Sequence, residues 1–210
     1  LLENEYLQLA SCGVDGLTIY QEVYDLDTYN ILHPAGPKKD YRFRLGAPER
    51  GAKGGMRNVN IGALLGLNDW RKEVFLLGLH AKYLQDNFAD VEIGASVPRI
   101  RPQAGNFKPK VIVNDKNIVQ IILALRIFLP RLSISLSTRE NSQFRDKLIL
   151  LGVTRMSAGS VTSVGGHAIM TQGGKNSVQF KISDQRDVKE IKNILQQKGY
   201  QPVLKDWMQI

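Results

Sequence analysis

The residues of this chain best suited to hold a small molecule sit where apolar runs end. Five such groups occur: Gln21–Glu22, Gly62 to Gly66, Ser96 to Arg101, Ser137 to Glu140 and Ser157 to Ser160. Brought together, they offer at least two arginines, several hydroxyls and a carboxylate. Arg139 stands first among them, because a planar guanidinium fork suits a carboxylate held between two strand ends. On pattern alone a second reading stays open, in which Arg139 begins the next helix and faces solvent. Gly62 to Gly66 would let a flat ring or a phosphate approach the backbone, or would serve simple close packing. No Ser-His-Asp order, HExxH pair or Walker loop is present. Such a pocket suits a small zwitterion or carboxylate beside a nucleoside-like cofactor, and it contains no evident protein general base.

The elements that must position these groups alternate in type. Strands are expected at 16–22, 58–67, 91–97, 132–137 and 154–157, from short β-branched or apolar runs that end in polar residues. Leu2, Tyr6, Leu9 and Ala10 fall at helical spacing and Gly13 stops that helix. A long loop with a helical turn is expected from Tyr24 to Pro37, followed by a helix from Asp40 to Gly54 that Pro48 kinks or breaks. Trp70, Val74, Leu77, Ala81, Leu84 and Phe88 mark one face of the next helix, with His80 beside that stripe as a satisfied helix residue. Further helices are expected from Lys116 to Leu129, capped by Asp115, near Ser142 to Leu150, and from a cap at Ser183 or Asp184 to Lys198. Strand and helix in this order imply parallel β/α units. The fold class is therefore α/β, with about five units of a TIM-type (β/α)8 barrel and the functional groups on its C-terminal face. One domain is expected over 1–210, with residues 168–210 as an extension that ends in a helix. The chain starts inside a helix at Leu1, and about three strands are expected upstream.

Composition narrows the function classes. With 43% hydrophobic and 23% charged residues, the chain has the profile of an ordinary globular domain. The most apolar stretch, Ile118 to Leu129, is interrupted by Gln120 and Arg126, so no membrane span is expected. The net charge of +8 is dispersed and does not interleave with aromatics, which argues against a nucleic-acid platform. Cys12 is the only cysteine, read as a small buried residue, and one thiol cannot build a disulfide, a zinc knuckle or an iron–sulfur ligand set.

Several motifs resemble one family. Gly16 to Glu22 with Tyr24 and Tyr29, Gly36 to Tyr41 with Arg44–Leu45, and Gly62 to Arg71 follow the order found in the aromatic amino-acid lyases of the radical S-adenosylmethionine superfamily. Pro98 to Pro102, Leu136 to Glu140, Met156 to Ser160 and Gly199 to Trp207 continue that resemblance over nearly the whole chain. It implies a radical SAM barrel with two cofactors, S-adenosylmethionine and a [4Fe–4S] cluster. It also implies a reaction in which the tyrosine Cα–Cβ bond is cleaved to 2-iminoacetate and p-cresol. The implied partners are thiazole synthase, as acceptor of the iminoacetate in thiamine biosynthesis, and a reductant such as flavodoxin or ferredoxin. The implied compartment is the cytoplasm, or the plastid stroma for a plastid-encoded chain.

By the same resemblance, Glu22 is the strand-end carboxylate that contacts S-adenosylmethionine, and Arg44 lies near that cofactor's methionine carboxylate. Gly62, Leu65 and Gly66 lie along adenine, with Leu65 as the ring contact. Arg139 grips the substrate carboxylate with Ser157 and Ser160 as hydrogen-bond partners, and Arg99 forms the pocket wall or steers the fragmentation. The family's CxxxCxxC motif is missing, so the cluster ligands are expected upstream and the chain alone is not expected to turn over. Val161 and His167 stand where a more polar and an aromatic residue are expected. Hydrogenase-maturation tyrosine lyases share these motifs but carry a second, C-terminal cluster, for which no cysteine follows Cys12. Tryptophan lyases and a non-catalytic barrel half serving as a binding module are the remaining alternatives.

Overall fold

The computed structural model describes residues 1–101, 107–162 and 182–204. Within them, helix α1 (Glu3–Ser11) precedes strand β1 (Gly16–Glu22), and helices α2 (Leu26–Leu32), α3 (Tyr41–Leu45) and α4 (Ala47–Lys53) lead to β2 (Asn58–Ala63). Helix α5 (Trp70–Asn87) and β3 (Glu92–Ser96) follow, then α6 (Asp115–Phe128) and β4 (Ser133–Leu136). Helix α7 (Ser142–Leu148) runs into a 3₁₀ turn (Ile149–Leu151), and β5 (Arg155–Met156) and α8 (Val188–Gln197) complete the order. The strands form one parallel sheet in the order β1-β2-β3-β4-β5. Each strand therefore contributes its C-terminal end to the same edge.

Strand alternation gives the sheet two unlike faces. Val59 and Ile61 of β2 lie level with Ile93 and Ala95 of β3, and Ala95 with Ile134 of β4. These residues are buried in one core with Val74, Leu77, Ala81 and Leu84 of α5 and Ile118, Ile121, Ile122 and Leu125 of α6. The other face carries Asn58, Asn60, Gly62, Gly94, Ser96, Ser133 and Ser135 at matching register. There Asn60 Nδ2 donates to Ser96 Oγ at 2.9 Å, and Arg155 pairs with Glu92 across the intervening strand.

Several expectations are refined by local chemistry. The helix expected over Asp40–Gly54 is broken at Gly46, and Pro48 falls in the first turn of α4, where its missing N–H is not needed. The strands are shorter than their apolar runs. β2 ends at Ala63, and Leu65 beyond it pairs with Arg99 as a single bridge. Asn114, not Asp115, caps α6, because its side chain and that of Asn117 bond each other's backbone N–H at 3.0 Å. Asp187 rather than Ser183 or Asp184 caps α8, with Glu190 completing the capping box. Cys12 is exposed, since it lies past the end of α1 instead of on its buried face. The expectations for positions 165–167, 173–174 and 205–207, and for Pro102, lie outside the described residues. No helix among the described residues is long and apolar enough to cross a membrane.

Two buried polar contacts tie the layers together. The hydroxyl of buried Tyr24 lies 3.0 Å from Nδ1 of His80 on α5. Burial pushes the His80 pKa down to about 4 from 6.5. Near the other end of the chain, fully buried Arg145 on α7 pairs with buried Asp184, which also receives the Arg186 guanidinium. Burial alone would raise the Asp184 carboxyl, but hydrogen bonds from Arg186 and Arg145 outweigh it and hold the pKa at about 2. Ser183 and Asp184 both donate backbone N–H to Thr138 O, which fastens this segment beside β4.

Both contacts generate predictions. Because the unfolded chain binds a proton on His80 that the folded chain refuses between pH 6.5 and about 4, stability falls as the pH drops through that window. His80→Gln should flatten that loss in urea titrations, and an unchanged pH profile would contradict the assignment. Asp184→Asn leaves the fully buried Arg145 without its anion and should cost about 3–5 kcal/mol at neutral pH. A change below about 1 kcal/mol would place the pair among weak surface contacts.

Candidate active-site cleft

An open cleft of about 320 Å³ lies at the C-terminal edge of the sheet. Its charged lining residues are Glu22, Lys38, Arg101 and Arg139, and its apolar ones include Leu64, Leu67, Ile100 and Phe107. The strand ends thus bring Glu22 and Arg139 together, as their placement in the chain predicts.

Glu22 reaches the cleft through an irregularity in β1. Tyr20 is level with Gly62 and Glu22 with Ala63, so Gln21 is an extra residue on the β1 side. Gln21 is buried, and neither its Nε2 nor its Oε1 has a partner among the described residues. Glu22 itself has φ of 72°, the only positive value at a non-glycine among the described residues. That backbone costs about 1–3 kcal/mol and is sustained only where surrounding contacts enforce it. Here those contacts are Lys38 Nζ at 2.8 Å from Oε1, Arg44 Nη2 at 3.7 Å, and the Leu64 N–H bonded to Glu22 O at 2.7 Å. Arg44 is in turn fixed by Nε donating to Tyr20 O at 2.7 Å. Arg44 therefore braces the carboxylate and the strand from behind.

Lys38 and His33 are positioned by an aromatic group under the loop between α2 and α3. Buried Tyr29 stacks on His33 with ring centroids 4.3 Å apart, meets Tyr41 edge-on, and donates its hydroxyl to Lys38 O. Glu73 of α5 accepts from the backbone N–H groups of Tyr24 and Asp25, which fixes the start of the same loop. Burial raises the Glu73 carboxyl, and the two backbone hydrogen bonds oppose that shift.

Arg139 lies half-buried just past β4. Burial lowers its proton affinity, and the neighbouring Tyr20 and Glu22 offset only part of that effect. An anion in the cleft would favour its charged form further.

Other expected site residues are placed differently. Arg99 does not line the cleft. Its buried guanidinium donates from Nε to Glu140 at 2.8 Å and from Nη1 to Val113 O at 2.8 Å, while Nη2 contacts both Glu140 and Asp115. Leu65 is 1% exposed and packs in the core, whereas Leu64 and Leu67 line the cleft. Alternation accounts for the first two: with Gly62 on the polar face, Leu64 follows it and Leu65 points to the helices, while Leu67 lies past the end of β2. The space beside Gly62 is taken by this chain's own ring, since a Cβ there would lie 2.6 Å from Tyr20 Cδ1 and 2.8 Å from Ser96 O. Gly66, at φ of 111°, packs against Ile100 and Pro109. Ser157 and Ser160 stand beyond β5, outside the described cleft lining. Ser157 is exposed, and its carbonyl accepts from Arg145.

Lys38, His33 and Phe107 are cleft residues that sequence reasoning did not single out, whereas Arg101 and Leu64 fall within its strand-end groups Ser96 to Arg101 and Gly62 to Gly66 but carried no role of their own. Period-two counting from Gly62 would have selected Leu64. The pairing of Arg101 with Glu140 depends on tertiary structure and has no sequence signal.

With this geometry in place, the chain can be set beside known proteins. A family model described as the Biotin and Thiamin Synthesis associated domain matches residues 96–201, just over half of the 210-residue chain. The chain is 38% identical to 2-iminoacetate synthase of Escherichia coli (strain K12) and 36% identical to that of Salmonella typhimurium (strain LT2). Each of these matches covers 99% of this chain and 54% of the relative, so the chain spans about half their length. Among solved structures, the [FeFe]-hydrogenase maturase HydG superimposes with a TM-score of 0.85 at 34% identity, covering 98% of this chain and 44% of that one. HydG from Carboxydothermus hydrogenoformans gives 0.82 at 34% identity, covering 95% and 45%. Methylornithine synthase gives 0.66 at 19% identity over 96% and 56%, a likeness of fold alone. The five parallel strands are accordingly the C-terminal portion of a radical SAM TIM-type barrel. The chain belongs to the Biotin and Thiamin Synthesis associated domain family and is homologous over its whole length to 2-iminoacetate synthase.

Proposed function

We propose that this chain is the substrate-side portion of a radical S-adenosylmethionine lyase that cleaves the tyrosine Cα–Cβ bond to 2-iminoacetate and p-cresol for the thiazole of thiamine. One observation carries this reading: Arg139 and Glu22, from different strand ends, line one cleft with apolar Leu64, Leu67 and Phe107 beside them. The carboxylate and phenol ring of tyrosine require a cation beside an apolar wall, and the Glu22 carboxylate suits the ammonium group of a second ligand in the same cleft. The wider resemblance supports it through the relatives named 2-iminoacetate synthase.

The residues present fit S-adenosylmethionine and do not fit the cluster. Glu22 is held in a strained backbone with its carboxylate at the cleft, where it can accept from an α-ammonium group. A [4Fe–4S] cluster requires several thiolates, and this chain has only Cys12, which is exposed, with no cluster of three or more metal-ligating side chains among the described residues. Cluster ligands belong to the portion of the relatives that this chain does not span. When bound, the cluster and S-adenosylmethionine supply the 5′-deoxyadenosyl radical.

The chain's own residues bind and orient. Arg139 holds the tyrosine carboxylate, with Ser157 and Ser160 outside the described lining of its cleft. Glu22, braced by Lys38 and Arg44, receives the ammonium of S-adenosylmethionine. Gly62 lets the Tyr20 ring lie close against the sheet. Arg99 acts as a positioning residue, since its guanidinium is taken up by Glu140, Asp115 and Val113. The iminoacetate passes to thiazole synthase, and flavodoxin or ferredoxin supplies the electron, in the cytoplasm or the plastid stroma. Hydrogenase-maturation tyrosine lysis, the second reading, is favoured by the 0.85 superposition on HydG.

The test is anaerobic turnover of the full polypeptide with reconstituted cluster, reductant, S-adenosylmethionine and tyrosine. Production of p-cresol with 2-iminoacetate is expected, and 5′-deoxyadenosine without p-cresol would contradict tyrosine as substrate. Arg139→Ala should lower kcat/KM for tyrosine by about 30-fold or more, the effect of losing a buried carboxylate contact of about 2–5 kcal/mol. An unchanged tyrosine dependence would remove Arg139 from the site.

A further inference from the structure

We propose that Arg101 is a second carboxylate-binding residue of the cleft, aimed by the buried Arg99–Glu140 pair. The proposal rests on the lyase reading, and the ligand chemistry it names is the carboxylate of an α-amino acid, supplied by tyrosine or by the methionine end of S-adenosylmethionine. Arg99 and Arg101 follow β3, two residues apart, and both reach Glu140, 39 residues on from Arg101, at the end of β4. Their roles differ. Arg99 is 5% exposed and engages both oxygens of Glu140. Arg101 shares only Oε2, keeps 27% of its side-chain surface exposed, and lines the cleft.

Charge and unsatisfied donors point the same way. Glu140 is one carboxylate divided between two guanidiniums, while the other anion of the group, Asp115, contacts Arg99 and not Arg101. Arg101 Nε is buried and has no hydrogen-bond partner among the described residues. The one carboxylate in the described cleft lining, Glu22, is already paired with Lys38 at 2.8 Å. The Arg101 side of the cleft is therefore rich in donors and short of acceptors, and Ile100, Leu67 and Phe107 beside it weaken competition from water. A guanidinium fixed along one edge presents the other edge to a ligand with little loss of side-chain freedom.

Calorimetric titration of the full-length, cluster-loaded protein tests this without turnover. Tyrosine and tyramine are titrated as one pair, S-adenosylmethionine and its decarboxylated analogue as the other, against the unaltered protein, Arg101→Gln and Arg101→Lys. Urea unfolding of each variant confirms an intact fold. The expected result is that Arg101→Gln weakens one carboxylate ligand tenfold or more, leaves its carboxylate-free analogue unchanged, and is partly rescued by Arg101→Lys. Loss confined to the tyrosine pair assigns Arg101 to substrate, and loss confined to the other pair assigns it to the cofactor. If the unaltered protein binds both ligands and Arg101→Gln alters neither, the proposal is overturned while the lyase reading stands. If the unaltered protein binds neither, the lyase reading fails and this proposal fails with it.

Discussion

Everything in this molecule depends on a parallel sheet whose two faces have different jobs. Parallel strands usually bury apolar side chains on both sides. Here Val59, Ile61, Ile93, Ala95 and Ile134 supply only the helix-facing side. The opposite side is built from asparagines, serines and glycines, and their small size lets Tyr20 lie within contact of Gly62 and Asn60 reach over Gly94. The helical layer provides most of the burial, about 25 cal/mol per Å² of apolar area. That leaves the inner face and the C-terminal edge at liberty to carry polar chemistry.

The edge is then made rigid by ion pairs. Glu22 is held in an unfavourable backbone by Lys38, Arg44 and the Leu64 amide. Glu140 gathers Arg99 and Arg101, and Asp184 gathers Arg145 and Arg186 while its own amide reaches Thr138. Each carboxylate joins segments distant in sequence, so the strand ends are fixed relative to one another. Buried pairs of this kind add little net stability over apolar packing, but removing one partner is costly. They specify geometry, which matters most where a bound group must be held in one orientation.

Much of this was legible in the chain, for identifiable reasons. The strand and helix order followed from periodicity, and Arg139 and Glu22 were found at the cleft because polar strand ends in a barrel converge. Residues whose partners are remote were misjudged. Asp115 and Asp184 look like helix caps locally, yet both answer buried arginines. Arg99 looks like a site residue and is an internal brace, while its neighbour Arg101 faces the cleft. Leu65 was favoured over Leu64 although simple alternation from Gly62 separates them. Gln21 shifts Glu22 by one position through a bulge, an irregularity that pattern counting does not detect.

The central claim is that Arg139 grips the substrate carboxylate in the cleft it shares with Glu22. A crystal structure of the full-length protein with tyrosine and S-adenosylmethionine tests it most directly. The account predicts the tyrosine carboxylate in a charge-assisted pair with Arg139 at about 2.7–2.9 Å, with the ring against the apolar wall of Leu64, Leu67 and Phe107. Tyrosine seated elsewhere in the barrel, with the Arg139 guanidinium bonded only to protein groups, would contradict it.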